Sequence, residues 1–223
     1  MKKIQDYFKK NKFAVIHGVI SKDLADFIYK YFLLKRQVAS TLFKEKYISP
    51  FTKYFGTWAD EQIPNTYSHY GDIAMETLLV KMLPVLENIV GLKLTPTYSY
   101  ARIYKKGDIL KRHKDRFSCE ISTTVNLGGE AWPIYLDPTG ADSVINEKEN
   151  LIKPDAPLGA RVDLGPGDML IYKGGELEHW RGSFEGENCG QVFLHYNNKK
   201  TPGSEKNIFD KRLHLGLPAE LKK

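Results

Sequence analysis

Cysteine is scarce in this chain: 223 residues hold two, Cys119 and Cys189. That is too few for a disulfide framework or a thiolate zinc site, and it suits a reducing compartment. Long apolar runs are also missing. None approaches the roughly 20 residues that a membrane-crossing helix needs. The opening MKKIQDYFKKNKFAVIHG lacks both the apolar stretch of about 7–15 residues and the small-residue cleavage site of a secretory leader. A cytoplasmic protein with no membrane partner is therefore expected. Blocks of like charge, internal repeats and low-complexity tracts do not occur. The net charge is +6, but the lysines are spread from Lys2 to Lys223, which reads as a solvated basic surface and disfavours nucleic acid as a partner.

What remains is ordinary globular chemistry, 42% hydrophobic and 12% aromatic, enough apolar surface for a core and enough chain for one domain. The texture changes near Thr95. In residues 1–94, FAVIHGVI (Phe13 to Ile20) reads as a strand. Ser21 then caps a helix running through Phe32 and beyond, with Leu24, Phe27, Ile28 and Tyr31 on one face. A second amphipathic helix is expected over Ile73 to Val90, ending at Gly91. The aromatic, irregular stretch from Tyr47 to Tyr70 between them is longer than a plain connector, and it is expected to form a lid or wall of the substrate site.

From Thr95 to Asn198 short apolar runs alternate with Gly, Pro and Asp: TYSYARIY, ILKRH, CEISTTVNL, WPIYL, ARVDL, MLIY and QVFLHY. This is all-β texture, and it predicts two sheets closed face to face as a sandwich or jelly-roll. The fold class is thus mainly β with flanking helices (α+β), a core at 95–198 supported by N-terminal helices, with the tail at 199–223 packed outside.

Within this region His113-Lys114-Asp115 follows a strand, so one imidazole and one carboxylate, two positions apart, can converge on a point. His179 comes 66 residues later, just past MLIYKGG. Two histidines and one carboxylate suit Fe(II) with positions left open for other ligands. The basic residues flanking the pair, Lys105, Lys106, Lys111, Arg112, Lys114 and Arg116, read as outward-facing solvated charge, and His195 as a packing or hydrogen-bonding residue. Trp132 and Trp58 read as core or pocket wall.

The order of these pieces resembles the 2-oxoglutarate and Fe(II)-dependent oxygenases, most of all their prolyl 4-hydroxylase branch. The resemblance covers Tyr98 to Asn198. It rests on Tyr104 nine residues before His113 with Gly107 between, the His113-x-Asp115 pair, GPGDMLIY leading to His179, and the closing strand Gln191 to Tyr196. It implies a double-stranded β-helix binding Fe(II) through His113, Asp115 and His179. It also implies 2-oxoglutarate as cosubstrate, ascorbate as an optional reductant, and hydroxylation of a peptide, amino acid or small molecule with release of succinate and carbon dioxide. No catalytic residue beyond the metal ligands is expected.

One position departs from the pattern. The branch carries a Lys or Arg about ten residues after the distal histidine to hold the far carboxylate of 2-oxoglutarate, and here that residue is Cys189. No Lys or Arg lies between Arg181 and Lys199. The expected cosubstrate contacts are Tyr104 together with Arg181 or Arg102, because an enclosed dianion needs a cationic partner. The rival readings are a cupin-like metal or small-molecule binding protein, a catalytically silent binding module, and a nucleic-acid-directed oxygenase of the same superfamily.

Overall fold

The computed structural model describes residues 2–139, 145–146, 151–152 and 159–223. The order of elements is α1 (Lys2–Asn11), β1 (Phe13–Ile16), α2 (Lys22–Lys44), β2 (Tyr67–Tyr70), α3 (Ile73–Val90), β3 (Leu94–Tyr104), β4 (Leu110–His113), a 3-10 turn (Phe117–Cys119), β5 (Ile121–Gly129) and β6 (Ile134–Leu136). There follow β7 (Ile145–Asn146), β8 (Leu151–Ile152), β9 (Ala160–Val162), β10 (Met169–Tyr172), β11 (His179–Arg181), β12 (Cys189–Asn198) and 3-10 turns at Ser204–Lys211 and Ala219–Leu221. No helix among the described residues is long and apolar enough to cross a membrane.

Two antiparallel sheets face each other. The larger runs β1-β10-β5-β12-β3-β2 and the smaller β4-β11-β6-β9, with β7 and β8 paired separately. Strands β3, β5, β10 and β12 belong to one sheet, and β4, β6, β9 and β11, which fall between them in sequence, belong to the other. That alternation is a double-stranded β-helix, the expected jelly-roll.

The period of two along each long strand explains both faces of the larger sheet. Ala101 and Ile103 of β3, Val125 and Leu127 of β5, Met169 and Ile171 of β10, and Val192 and Leu194 of β12 point outward into one core with the helices. Their neighbours point into the space between the sheets, where Ile134, Leu136, Leu170 and Tyr172 fill one end. Tyr104, Leu110, Trp132, Phe184 and Cys189 fill the other.

The helices begin and end where the sequence places their caps. Ser21 Oγ accepts from Leu24 N at 3.2 Å, Asp72 Oδ1 accepts from Met75 N at 3.1 Å, and Gly91 closes α3 at a left-handed φ of 70°. Two details differ from expectation. The β1 strand stops at Ile16, and the buried face of α2 is Ala25, Ile28, Phe32 and Ala39, which leaves Phe27 in solvent. Helix α1, with its polar sequence, is an addition, and the edge strand β2 is a short strand inside the irregular stretch, the second of the one or two strands expected in residues 1–94. Both owe their form to what they pack on: Phe8 of α1 enters the helix-side core, and β2 pairs with β3.

The C-terminal segment is clasped by two buried carboxylates. Glu76 of α3 receives Arg212 Nη2 at 2.6 Å and the backbone N–H of Ser99 at 3.2 Å. Asp210 accepts from Arg116 at 2.8 Å, Ser118 at 3.0 Å, Tyr70 at 2.7 Å and Lys222 at 2.6 Å. Three consecutive non-glycine residues, Phe209, Asp210 and Lys211, take left-handed φ values of 51°, 55° and 67° to bring this carboxylate in, a local cost that its hydrogen bonds offset.

Removing one partner of a buried ion pair strands the other. Arg212→Leu is therefore expected to lower stability by about 3–5 kcal/mol in urea denaturation, and adding Glu76→Leu is expected to restore much of it.

Candidate metal centre

His113 ends β4, and the backbone N–H of Asp115, two residues on, donates to Gly174 O at 2.9 Å, which fixes the chain beyond the strand. His179 opens β11 and lies directly opposite His113 in the antiparallel register, with ring centroids 4.3 Å apart. One ligand-type atom from each of His113, Asp115 and His179 falls in a group spanning no more than 4.8 Å. Asp115 Oδ1 is 3.7 Å from His113 Nε2 and 3.5 Å from His179 Nε2.

The surroundings prepare these atoms for a cation. His113 Nδ1 donates to Lys111 O at 2.7 Å, and His179 Nδ1 to Leu177 O at 3.1 Å, so in each ring Nε2 is the nitrogen that carries the lone pair. Burial and the neighbouring His179 ring push the His113 pKa down to about 4. Burial alone would raise the Asp115 carboxyl, but the His179 and His195 rings and the Ser122 hydroxyl hold it well below the usual range. A neutral imidazole beside an anionic carboxylate is the state that binds a metal. The donor set fits Fe(II).

The centre opens into a cavity of about 330 Å³ between the sheets, lined by Tyr98, Tyr100, Arg102, Tyr104, Tyr172 and His195 among others. Ser122 links two sides of it, with its Oγ 2.6 Å from Asp115 Oδ2 and 3.0 Å from His195 Nδ1. His195 packs against Tyr98 with the ring planes tilted by 35°, and burial pushes its pKa down to about 4. The hydrogen-bonding role read for His195 is what the geometry shows, together with a place on the cavity wall.

The two candidate arginines differ in what they hold. Arg102 is buried and ion-paired: its Nη2 lies 2.9 Å from Asp60 Oδ2, and its Nη1 donates to Gln62 Oε1 at 3.1 Å and to the Tyr104 hydroxyl at 3.4 Å, while its Nε finds no partner among the described residues. Arg181 is 1% exposed and forms no ion pair with a carboxylate among the described residues. Its Nη1 donates to Trp132 O, its guanidinium lies over the Trp132 ring, and its Nε and Nη2 find no partner among the described residues. Cys189 and Tyr104 are opposite each other on β12 and β3, and both pack in the cluster that contains Trp132. A buried cation with unsatisfied donors fits a carboxylate-bearing ligand.

Several site residues carried no signal in the sequence. Asp60 and Gln62 come from the segment before β2 and line the cavity, while Tyr47, Phe51 and Tyr54 of the same stretch point into solvent. Tyr172 and Gly174 sat inside the GPGDMLIYKGG run, where spacing marked the histidine but not them. Among the flanking basic residues Arg112 departs from the reading as solvated charge. It is buried over the Trp180 ring with Asp137 and Glu178 each 2.6 Å away.

No protein-family model matches the sequence, and no curated protein matches it. Solved structures do. A prolyl 4-hydroxylase from Pseudomonas putida superposes with a TM-score of 0.59 at 14% identity, covering 89% of this chain and 98% of that one. The non-heme alpha-ketoglutarate-dependent epimerase SnoN from nogalamycin biosynthesis gives 0.63 at 11%, covering 88% and 82%. HygX from Streptomyces hygroscopicus, crystallised with nickel and 2-oxoglutarate, gives 0.62 at 14%, covering 100% and 94%. The fold is that of the 2-oxoglutarate-dependent oxygenases. In this oxygenase fold the two sheets converge on the space that His113, Asp115 and His179 share.

Two outcomes follow from the packing. A Cβ on Gly174 would fall within contact distance of Asp115 Oδ2, Cys119 O and Ser122 Oγ. Gly174→Ala is therefore expected to weaken metal binding by about 10- to 100-fold, read by calorimetric titration with Mn(II). His113 and His195 are held neutral down to about pH 4, whereas in the unfolded chain such rings protonate near their ordinary 6.5. Between those values the unfolded state binds more protons, so the stability of the metal-free protein should fall as pH drops through that window. Thermal melts from pH 7 to 4 check this, and His195→Phe should flatten the slope.

Proposed function

We propose that the protein is an Fe(II)- and 2-oxoglutarate-dependent oxygenase that hydroxylates a peptide, amino acid or small-molecule substrate. The observation that carries this reading is the pairing, inside one oxygenase fold, of a two-histidine, one-carboxylate cluster with the buried cation Arg181, whose Nε and Nη2 have no partner among the described residues. When bound, Fe(II) with 2-oxoglutarate and dioxygen would supply an oxidant for an unactivated C–H bond, one oxygen atom going into succinate as carbon dioxide leaves and the other into the hydroxylated product.

The chain's own residues prepare that chemistry. His113 and His179 offer Nε2, Asp115 offers Oδ1, and Ser122 holds the second Asp115 oxygen so that the carboxylate keeps one orientation. Arg181 is favoured over Arg102 as the clamp for the far carboxylate. Asp60 already neutralises Arg102, whereas Arg181 has two donors to give, with the Tyr104 ring beside the cluster that surrounds it. On this reading Cys189 replaces a long basic side chain on β12 with a short one, and an arginine from β11 takes over its work. Buried Trp132, Leu110, Ile134 and Tyr172 keep water from the reacting end.

The experiment measures succinate formed from 2-oxoglutarate with Fe(II) and oxygen, alongside Mn(II) titration. His113→Ala, Asp115→Ala and His179→Ala should each abolish turnover and tight metal binding in a folded protein. Full turnover in the His179 variant would overturn the assignment, and no succinate from the native protein would favour a cupin-like or silent binding module. Arg181→Met should weaken 2-oxoglutarate binding by about 1.5–3 kcal/mol, the strength of hydrogen bonds to charged groups. The same substitution should stabilise the ligand-free protein, because it removes a buried charge that has no counter-ion among the described residues. Arg102→Met should not reproduce that pair of effects.

A further inference from the structure

The lone pair that His113 must give to a metal is already engaged. Gln62 Nε2 lies 3.1 Å from His113 Nε2, and because His113 Nδ1 is donating to Lys111 O, the amide is the donor and the ring the acceptor. One lone pair cannot serve an amide proton and a cation together. The amide is also held in place. Asp60 Oδ1 accepts from the backbone N–H groups of Gln62 at 2.8 Å and Ile63 at 3.1 Å, and Asp60 Oδ2 pairs with Arg102 and accepts from the Tyr100 hydroxyl. Ile63 is buried in the cluster with Tyr104 and Leu110, which pins the turn against the cavity, and Gln62 Oε1 accepts from Arg102 Nη1. Gln62 lines the cavity yet is largely exposed, so these hydrogen bonds and not packing set its orientation.

We propose that Gln62 is a latch on the metal site: its amide covers His113 Nε2 in the metal-free protein, and metal loading displaces it. The tether through Oε1 to Arg102 keeps the displaced amide in the cavity, where its N–H groups face the substrate side as donors for a carbonyl or hydroxyl oxygen. Metal loading and presentation of a substrate-binding donor are thereby coupled in one side chain. The inference rests on the assignment of His113, Asp115 and His179 as the metal site.

Co(II) serves as the probe, followed by its visible absorption in the native protein and in Gln62→Ala and Asp115→Ala. Loss of the competing hydrogen bond should make Gln62→Ala bind Co(II) about two- to tenfold more tightly. In parallel, the side-chain amide resonances of Gln62, assigned by their absence in Gln62→Ala, should shift when the native protein is saturated with diamagnetic Zn(II). An unchanged or weaker Co(II) affinity in Gln62→Ala, or amide resonances that do not move, overturns the latch. Asp115→Ala separates the two claims. If it loses Co(II) while Gln62→Ala equals the native protein, the metal site stands and the latch falls. If native protein and Asp115→Ala take up Co(II) alike, or neither takes it up, both fall.

Discussion

The antiparallel register that sets His179 of β11 against His113 of β4 is the constraint on which the rest of the site depends. The two histidines are far apart in sequence, and only this pairing brings both Nε2 atoms within reach of Asp115 Oδ1. A slip of one residue would turn each imidazole to the opposite face of the sheet. The pairing is protected from both sides: β11 is an inner strand held by β6 as well, and the buried Arg112 ties β4 to Glu178, the residue just before His179. Breaking that ion pair would leave charge stranded in the interior, so the register is specified beyond its backbone hydrogen bonds.

The larger sheet supplies what the smaller one lacks. Its inner face carries Tyr98, Tyr100, Arg102 and Tyr104 on β3, Ser122 on β5, Tyr172 on β10, and Cys189, Gln191, Phe193 and His195 on β12, and Ser122 reaches across to Asp115. The C-terminal segment reaches the same wall from outside: Asp210 holds Arg116, whose guanidinium lies over the Tyr98 ring. Gly174 leaves the room that Asp115 occupies. The candidate metal ligands, the cavity wall and the tail form one connected set of polar contacts, and such sets gain strength from mutual satisfaction.

Much of the fold was legible because it depends on local rules. Ser21 and Gly91 mark helix ends through capping chemistry. The alternation in TYSYARIY and QVFLHY marks strands with one face toward each core, and the His113-x-Asp115 spacing places two candidate ligands together. What stayed hidden depends on contacts distant in sequence. Strand β2 stayed unplaced within its irregular stretch because it is short and held by β3. The Arg112 ion pairs form only once Asp137 and Glu178 are folded beside it. The sequence leaves Arg102 and Arg181 equivalent as clamps, and only the structure shows that Asp60 has neutralised one of them. Gln62 carries no motif, since its role comes from a turn built on Asp60.

The account turns on one arrangement: a metal held by three named side chains, with 2-oxoglutarate reaching from it to a cation on β11. Crystals of the protein grown without oxygen with Mn(II) and 2-oxoglutarate, measured by anomalous diffraction, test that arrangement most directly. The account predicts the anomalous peak bonded to His113 Nε2, Asp115 Oδ1 and His179 Nε2, and the far carboxylate of 2-oxoglutarate on Arg181. A peak elsewhere, or a carboxylate bound to Arg102 with Arg181 still unpaired, would contradict it.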